Sequence, residues 1–201
     1  MRLALVAFAL LAASASAQPT RPYVHAGAGG GVLPSLHDLG DEEVTRNAWG
    51  WGGAVEAGLG RGDRDVGLRV EALRARRGDG SDLQAAFPTD DWYDAFQVSA
   101  LIVTRQRFLL AGLEFAAGSG GGLGYNVTVV QEAQGRVAVR DGAVVSRLPT
   151  RRERSVRPLV SVDLALGRTV GRTFVGLGAS ASGTFDDRVS ARYGVEVRRG
   201  L

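Results

Sequence analysis

The residue pattern predicts an all-β fold: an antiparallel up-and-down transmembrane β-barrel of eight strands. Eight segments alternate apolar residues with small or polar ones, and the connections between them alternate between long and short. No internal stretch reaches the roughly 18 consecutive apolar residues of a transmembrane helix. Because every backbone group inside a bilayer must be paired, a closed barrel is the spanning structure that remains.

The chain is expected to start with a signal peptide over residues 1–17, followed by one barrel domain over residues 18–201. Arg2 precedes an apolar run at residues 3–13, and Ala-Ser-Ala at residues 15–17 has the form of a cleavage site. The apolar run is too short to cross a bilayer as a helix. The chain contains no cysteine, so disulfides cannot supply the stability of this exported domain.

Four segments show the alternation clearly: residues 49–60, 156–167, 173–182 and 189–198. In the first, Trp49, Trp51 and Val55 share one face, whereas the opposite face is glycine and alanine apart from Glu56. A soluble sheet would instead place polar side chains opposite its apolar face. Small residues fit the interior of a narrow barrel, so the apolar face is predicted to meet lipid.

Four further segments alternate less regularly: residues 23–33, 66–76, 94–104 and 108–117. Each has about the 9–11 residues that a tilted membrane strand needs. The predicted short connections are residues 61–65, 105–107 and 168–172, and the longer ones are 34–47, 77–92, 118–155 and 183–188. Short turns are typical of the periplasmic end of such barrels and long loops of the outer end.

The third long loop contains strand-like segments of its own, including residues 136–140 and 143–147 around Asp141-Gly142. An Asp-Gly pair between two such segments favours a tight hairpin. We therefore expect a β-ribbon in the third outer loop. A ten-stranded barrel that incorporates two of these segments is the alternative.

This arrangement resembles the eight-stranded outer-membrane barrels of the OmpA and OmpX type. The resemblance covers residues 20–201 and depends on the strand pattern and on the alternation of short and long loops rather than on a diagnostic motif. It implies a bacterial outer-membrane location, membrane lipid and lipopolysaccharide as surroundings, and the outer-membrane assembly machinery as a partner. Such barrels usually end in an aromatic residue that helps this machinery recognise the last strand, whereas this chain ends in Leu201.

The predicted lumen face collects seven charged residues: Glu56, Arg69, Glu71, Glu114, Asp163, Arg192 and Glu196. Side chains fill the interior of an eight-stranded barrel, so buried charges there must be paired or hydrated. We predict a structural salt-bridge network. A gated path for protons or ions is the alternative.

Arginines also gather at the predicted outer ends of two strands: Arg74 and Arg76 on one, and Arg151, Arg152 and Arg154 beside the other. Guanidinium groups bind phosphate oxygens in a bidentate manner. The hypothesis is that these arginines contact lipid phosphates of lipopolysaccharide. A solvated strand end is the alternative.

The composition argues against other classes of function. The net charge is only +3, with 24 basic and 21 acidic residues interleaved along an exported chain, so nucleic-acid binding is not expected. The two histidines, His25 and His37, have no recognisable catalytic partner motif, so no enzyme activity is predicted. No spacing of acids matches a calcium loop, and no cofactor or metal is expected.

We therefore expect a monomeric, non-enzymatic barrel with a role in envelope integrity or in surface interactions through its extracellular loops. A surface protein could bind a projecting ribbon by edge pairing. A small pore or transport barrel for solutes is the first alternative. A soluble periplasmic carrier of the lipocalin kind is the second, and it would line its cavity with large apolar residues.

Overall fold

The computed structural model describes residues 19–39, 42–77, 92–131, 136–140, 143–147, 150–183 and 189–201, so the predicted signal peptide lies outside it. Eight strands form one closed barrel in which neighbouring strands are antiparallel. Counted along the chain, their order around the wall is first, tenth, ninth, eighth, fifth, fourth, third and second. The predicted fold class and strand number are confirmed. The described ranges contain no helix that is long and apolar enough to cross a membrane.

The strands of the barrel are β1 (Arg21–Leu39), β2 (Glu42–Arg61), β3 (Arg64–Arg77), β4 (Trp92–Leu110), β5 (Leu113–Gln131), β8 (Thr150–Val170), β9 (Thr173–Gly183) and β10 (Val189–Gly200). Two short strands, β6 (Arg136–Arg140) and β7 (Ala143–Arg147), form a separate two-stranded antiparallel sheet. The ten-stranded alternative is wrong because β5 pairs directly with β8, from Glu114 opposite Gly167 to Gln131 opposite Thr150. That pairing leaves no position in the wall for another strand.

Several strands are longer than predicted. The first predicted loop belongs largely to the paired strands β1 and β2, and the glycine run at residues 118–124 lies within β5. Glycine is usually a poor strand residue, but close strand approach requires it here. A Cβ atom on Gly122 would lie 1.9 Å from the carbonyl oxygen of Ala100 on β4. The glycines thus allow the wall to form at a place that the sequence alone suggests is a loop.

One predicted turn is wrong. The connection expected at residues 105–107 lies instead at Ala111 and Gly112, with φ of 50° and 82°. Positive φ at both positions is typical of the two-residue hairpin turn that matches strand twist. Arg105 looked like a turn residue because it is charged, but it is a buried residue of β4.

The barrel presents its apolar residues outward. Trp51 is 72% exposed and Leu177 is 68% exposed, whereas alternate neighbours such as Phe174 are buried. On β8 the outward apolar side chains extend over residues 156–166. In a strand tilted by about 40° from the barrel axis, this stretch spans roughly 25–30 Å along the axis, which is close to the height of the apolar band of a membrane barrel. The described surface is therefore suited to hydrocarbon.

Candidate functional site

The centre of the lumen is organised around Glu56 on β2, whose side chain is 1% exposed. Its carboxylate accepts hydrogen bonds from Arg69 Nε at 3.0 Å and from Arg105 Nη1 and Nη2 at 2.8 and 2.7 Å. The hydroxyl of Tyr23 donates a further bond at 2.5 Å. Two guanidinium groups thus compensate one buried carboxylate, an arrangement that tolerates burial only while all partners remain.

The same network reaches the far side of the barrel. Arg69 also donates a hydrogen bond from Nη1 to Asp163 on β8. His25 lies between two acids, with Nδ1 3.6 Å from Glu56 Oε2 and Nε2 3.3 Å from Glu196 Oε2. These contacts join side chains from β1, β2, β3, β8 and β10 across the lumen.

A second layer of charges lies nearer the end that carries the short turns, which we call the turn end. Arg198 donates to Glu114 Oε1 and, at 3.4 Å, to Asp65 Oδ2, and its guanidinium carbon lies 5.2 Å from the centroid of the Phe174 ring. Glu114 also accepts a hydrogen bond from Thr169 at 2.7 Å. A cavity of about 590 Å³ lies at this layer, lined among others by Asp65, Glu114 and Arg198. The charged layer therefore lines a cavity at the turn end of the lumen.

Towards the opposite end, which carries the long connections and which we call the loop end, the lumen holds a cavity of only about 10 Å³. It is lined by Glu71, Gln97, Ser99 and three serines of β9 and β10, among others. This volume has room for about one water molecule. Glu71 Oε2 and Ser99 Oγ are buried there without a hydrogen-bond partner in the structure.

Beyond this cavity an apolar cluster lies on the β1–β4 side of the lumen. Five buried side chains pack together there: Leu33, Ala48, Leu73, Ala75 and Ala95. The lumen of the described barrel thus contains, in order, a charged layer, the Glu56 network, a small polar cavity and an apolar cluster on one side of the wall.

The structure places all seven predicted lumen charges on the inner side of the wall. Six of them make ion pairs: Glu56, Arg69, Glu114, Asp163, Arg192 and Glu196. Glu71 makes no ion pair with the other described residues.

Six further side chains take part in these ion pairs and hydrogen bonds although the sequence did not predict them: Tyr23, His25, Asp65, Arg105, Arg107 and Arg198. The alternation already placed Tyr23, His25 and Arg198 on the lumen face, so that signal could have found them. Arg105 was missed because the turn was assigned to it.

Glycines leave the space that the charged side chains occupy. A Cβ on Gly178 would lie 2.1 Å from Glu196 Cδ, and a Cβ on Gly58 or Gly67 would lie 2.7 Å from the Tyr23 hydroxyl. The small lumen residues and the large charged ones are therefore complementary in shape. Neither set packs without the other.

Replacing Gly178 with alanine is expected to destabilise the barrel by about 2 kcal/mol, because the new methyl group displaces the Glu196 carboxylate from its partners. A double-mutant cycle with Glu196→Ala checks this in reversible urea unfolding. We expect the double variant to cost at least about 1 kcal/mol less than the sum of the single costs. If the costs of the two single substitutions simply added up in the double variant, the proposed clash between residue 178 and Glu196 would be contradicted.

The arginines predicted to meet lipid lie outside the barrel. Arg74, Arg76, Arg152 and Arg154 are exposed, and the side chain of Arg151 is outside the described part of the structure. Arg74 and Arg76 both donate hydrogen bonds to Asp94. These residues are separate from the lumen network.

The lumen network offers little for catalysis or metal binding. The described residues contain no group of three or more acids, histidines or cysteines arranged to hold a metal ion. The contacts of His25 in the structure are with the carboxylates of Glu56 and Glu196. The side chain of His37 lies outside the described residues.

No protein-family model matches this sequence, and no curated protein matches it. Solved structures do resemble the barrel. Neisserial surface protein A (NspA) is 12% identical with a TM-score of 0.55, over 92% of this chain and 100% of that one. Ail of Yersinia pestis, in complex with the heparin analogue sucrose octasulfate, is 9% identical with a TM-score of 0.48, over 90% of this chain and 99% of that one. The N-terminal β-barrel domain of Pseudomonas aeruginosa OprF is 10% identical with a TM-score of 0.45, over 90% and 98%.

At these identities the likeness shows the fold alone. The chain has the fold of the eight-stranded outer-membrane barrels, which confirms the predicted resemblance at the level of architecture. The predicted outer-membrane location agrees with this fold and with the apolar outer surface.

Proposed function

We propose that this eight-stranded outer-membrane barrel is neither an enzyme nor a channel, and that it acts in envelope structure and in surface interactions through its extracellular loops. The observation that carries the proposal is the ion-pair network that crosses the lumen at Glu56. The cavity on its loop-end side measures about 10 Å³, far below what a solute requires.

The pore alternative requires the network to open. A permeating ion would have to separate partners such as Arg105 and Glu56, whose side chains are 4% and 1% exposed. Separating one partner of a buried pair leaves an uncompensated charge and costs about 3–5 kcal/mol.

The soluble carrier alternative fits the surface poorly. A carrier in water would expose Trp51, Leu68 and Leu177, which belong to a continuous apolar outer face. Its interior would be an apolar cavity, whereas this lumen holds ion pairs. The distribution of apolar and charged residues favours a membrane-spanning barrel.

The loop-end strands supply the surface for interaction. The sheet formed by β6 and β7 is not hydrogen-bonded to the barrel strands. A two-stranded sheet has an unpaired edge on each side, and such edges bind extended segments of other proteins through backbone hydrogen bonds. We propose that a surface protein partner binds there.

The purified barrel, reconstituted into planar bilayers, is expected to show no stepwise conductance, because the lumen is filled by side chains. A porin reconstituted in parallel serves as the positive control for insertion. Folded insertion of the chain is checked by its heat-modifiable migration on a gel. Regular conductance steps from the folded wild-type barrel would overturn this proposal and favour the pore.

A further inference from the structure

Strand register brings the outer-surface arginines of two separate strands to one patch near the loop end. One row across the outside of the wall consists of Trp51, Arg74, Phe96, Val127 and Arg154. The adjacent row, closer to the loop end, consists of Trp49, Arg76, Asp94, Val129 and Arg152. Each row therefore has tryptophan at one side and an arginine on both β3 and β8.

The arginines of β3 are held in fixed orientations. Arg74 donates from Nε and Nη2 to the two carboxylate oxygens of Asp94, at 3.0 and 2.6 Å, and Arg76 donates from Nε at 3.1 Å. The remaining guanidinium N–H groups of both arginines are left for a ligand. Asp94 is thus a positioning residue that aligns two cationic groups.

A groove of about 550 Å³ lies between Arg74 of β3 and Arg152 of β8. Arg76 and Arg154 occupy the next outward positions on the same two strands. The lining of the groove includes Trp51, Arg74, Phe96, Val129 and Arg152. Three interstrand steps separate β3 from β8, or about 14 Å along the wall. The groove therefore has cationic groups on two sides and an apolar, aromatic floor.

The patch lies at the margin of the apolar belt. On β3 the outward residues Val66, Leu68 and Val70 precede Arg74, and on β8 Arg154 precedes the outward apolar stretch at residues 156–166. Trp49 and Trp51 are 65% and 72% exposed at the same level. Aromatic side chains and arginines at this height are placed to meet lipid headgroups.

We propose that this groove binds the phosphorylated glycolipid of the outer leaflet, lipopolysaccharide, with its lipid A phosphates held by the two arginine pairs. Four arginines face one aspartate, so the patch carries an excess of positive charge for an anionic ligand. A headgroup with one phosphodiester can reach only one side of the groove. A disaccharide with a phosphate at each end can engage both, while the apolar floor contacts its acyl chains.

The test uses the refolded full chain in zwitterionic micelles at fixed salt, with fluorescent bisphosphorylated lipid A as the probe. We expect Arg74→Gln/Arg76→Gln to weaken binding at least roughly tenfold, and Arg152→Gln/Arg154→Gln to do the same. The control Arg172→Gln/Arg199→Gln removes two exposed turn-end arginines and is expected to leave affinity within about twofold. Lipid A without phosphates is expected to bind wild type about as weakly as the groove variants bind the intact probe.

Asp94→Asn separates alignment from simple charge, since it makes the patch more positive. We expect it to weaken binding about threefold, because the β3 arginines lose their shared acceptor. Heat-modifiable migration on a gel checks that each variant folds. Where a glutamine double variant does not fold, the corresponding Arg→Lys double variant is used instead, because lysine keeps the charge but lacks the planar guanidinium that binds phosphate in a bidentate manner.

Four results would overturn the proposal: unchanged affinity in both groove variants, an equal loss in the turn-end control, equal binding of dephosphorylated lipid A, or equally effective competition by phosphatidylglycerol vesicles. Tighter binding by Asp94→Asn would overturn the positioning role of Asp94.

Discussion

Replacing Glu56 with glutamine is expected to destabilise the folded barrel by about 3–5 kcal/mol. The amide has nearly the same volume but no charge, so Arg69 and Arg105 lose the carboxylate that compensates them. Both arginines are buried, and water cannot easily replace the missing partner. The amide keeps a single acceptor oxygen, so it cannot serve both the Tyr23 hydroxyl and His25, which contact different oxygens of the Glu56 carboxylate. Reversible urea unfolding in lipid vesicles measures the loss.

Glu71→Gln is the matched control. Glu71 also lies on the lumen face, but its carboxylate makes no ion pair with the other described residues, and Oε2 has no hydrogen-bond partner in the structure. We expect its neutralisation to change the free energy of unfolding by less than about 1 kcal/mol. Equal losses for the two variants would mean that the network around Glu56 has no special role in stability.

Replacing Gly122 with alanine is expected to cost at least about 3 kcal/mol or to prevent folding. The new Cβ would lie 1.9 Å from the carbonyl oxygen of Ala100, which is backbone of the neighbouring strand β4. A flexible side chain could move aside, but this oxygen moves only if β4 and β5 separate. The temperature at which the barrel loses its heat-modifiable gel mobility measures the effect.

The adjacent residue provides the control for this substitution. A Cβ on Gly121 would have its closest described neighbour, the Leu159 carbonyl oxygen, at 3.8 Å, an ordinary van der Waals contact. Gly121→Ala is therefore expected to be neutral or to stabilise by up to about 1 kcal/mol through the loss of glycine's freedom in the unfolded chain. Similar effects of the two alanine substitutions would show that close strand approach does not explain the glycine run.

Alternation was the most informative signal in the sequence. It correctly assigned the two faces of β2, β9 and β10, where Trp51 and Leu177 point out and Glu56 and Arg192 point in. Such assignments depend only on neighbouring residues, since side chains in a strand alternate between faces. Strand ends were less well predicted, because the glycine run of β5 and the Ala111-Gly112 turn have their geometry set by paired strands.

The composition of the lumen site was only partly predictable. The alternation of faces identified Glu56, Arg69 and Asp163 as lumen residues, but nothing in the sequence around each of them indicates that Arg69 contacts the other two. Its partners lie 13 and 94 residues away along the chain. Likewise, the sequence predicted that Arg74 faces outward and that Arg154 lies at the outer end of a strand, but nothing in it shows that register aligns them in one row.

The membrane-facing and lumen-facing residues of the predicted strand segments follow from the sequence alone, and so does the presence of short connections at one end of the barrel. These are local properties, because a strand's two faces are defined by successive residues. The tertiary structure alone decided which buried charges meet and which surface arginines share a groove. Those contacts depend on the stagger between strands when the sheet closes, and the stagger is a property of the whole barrel.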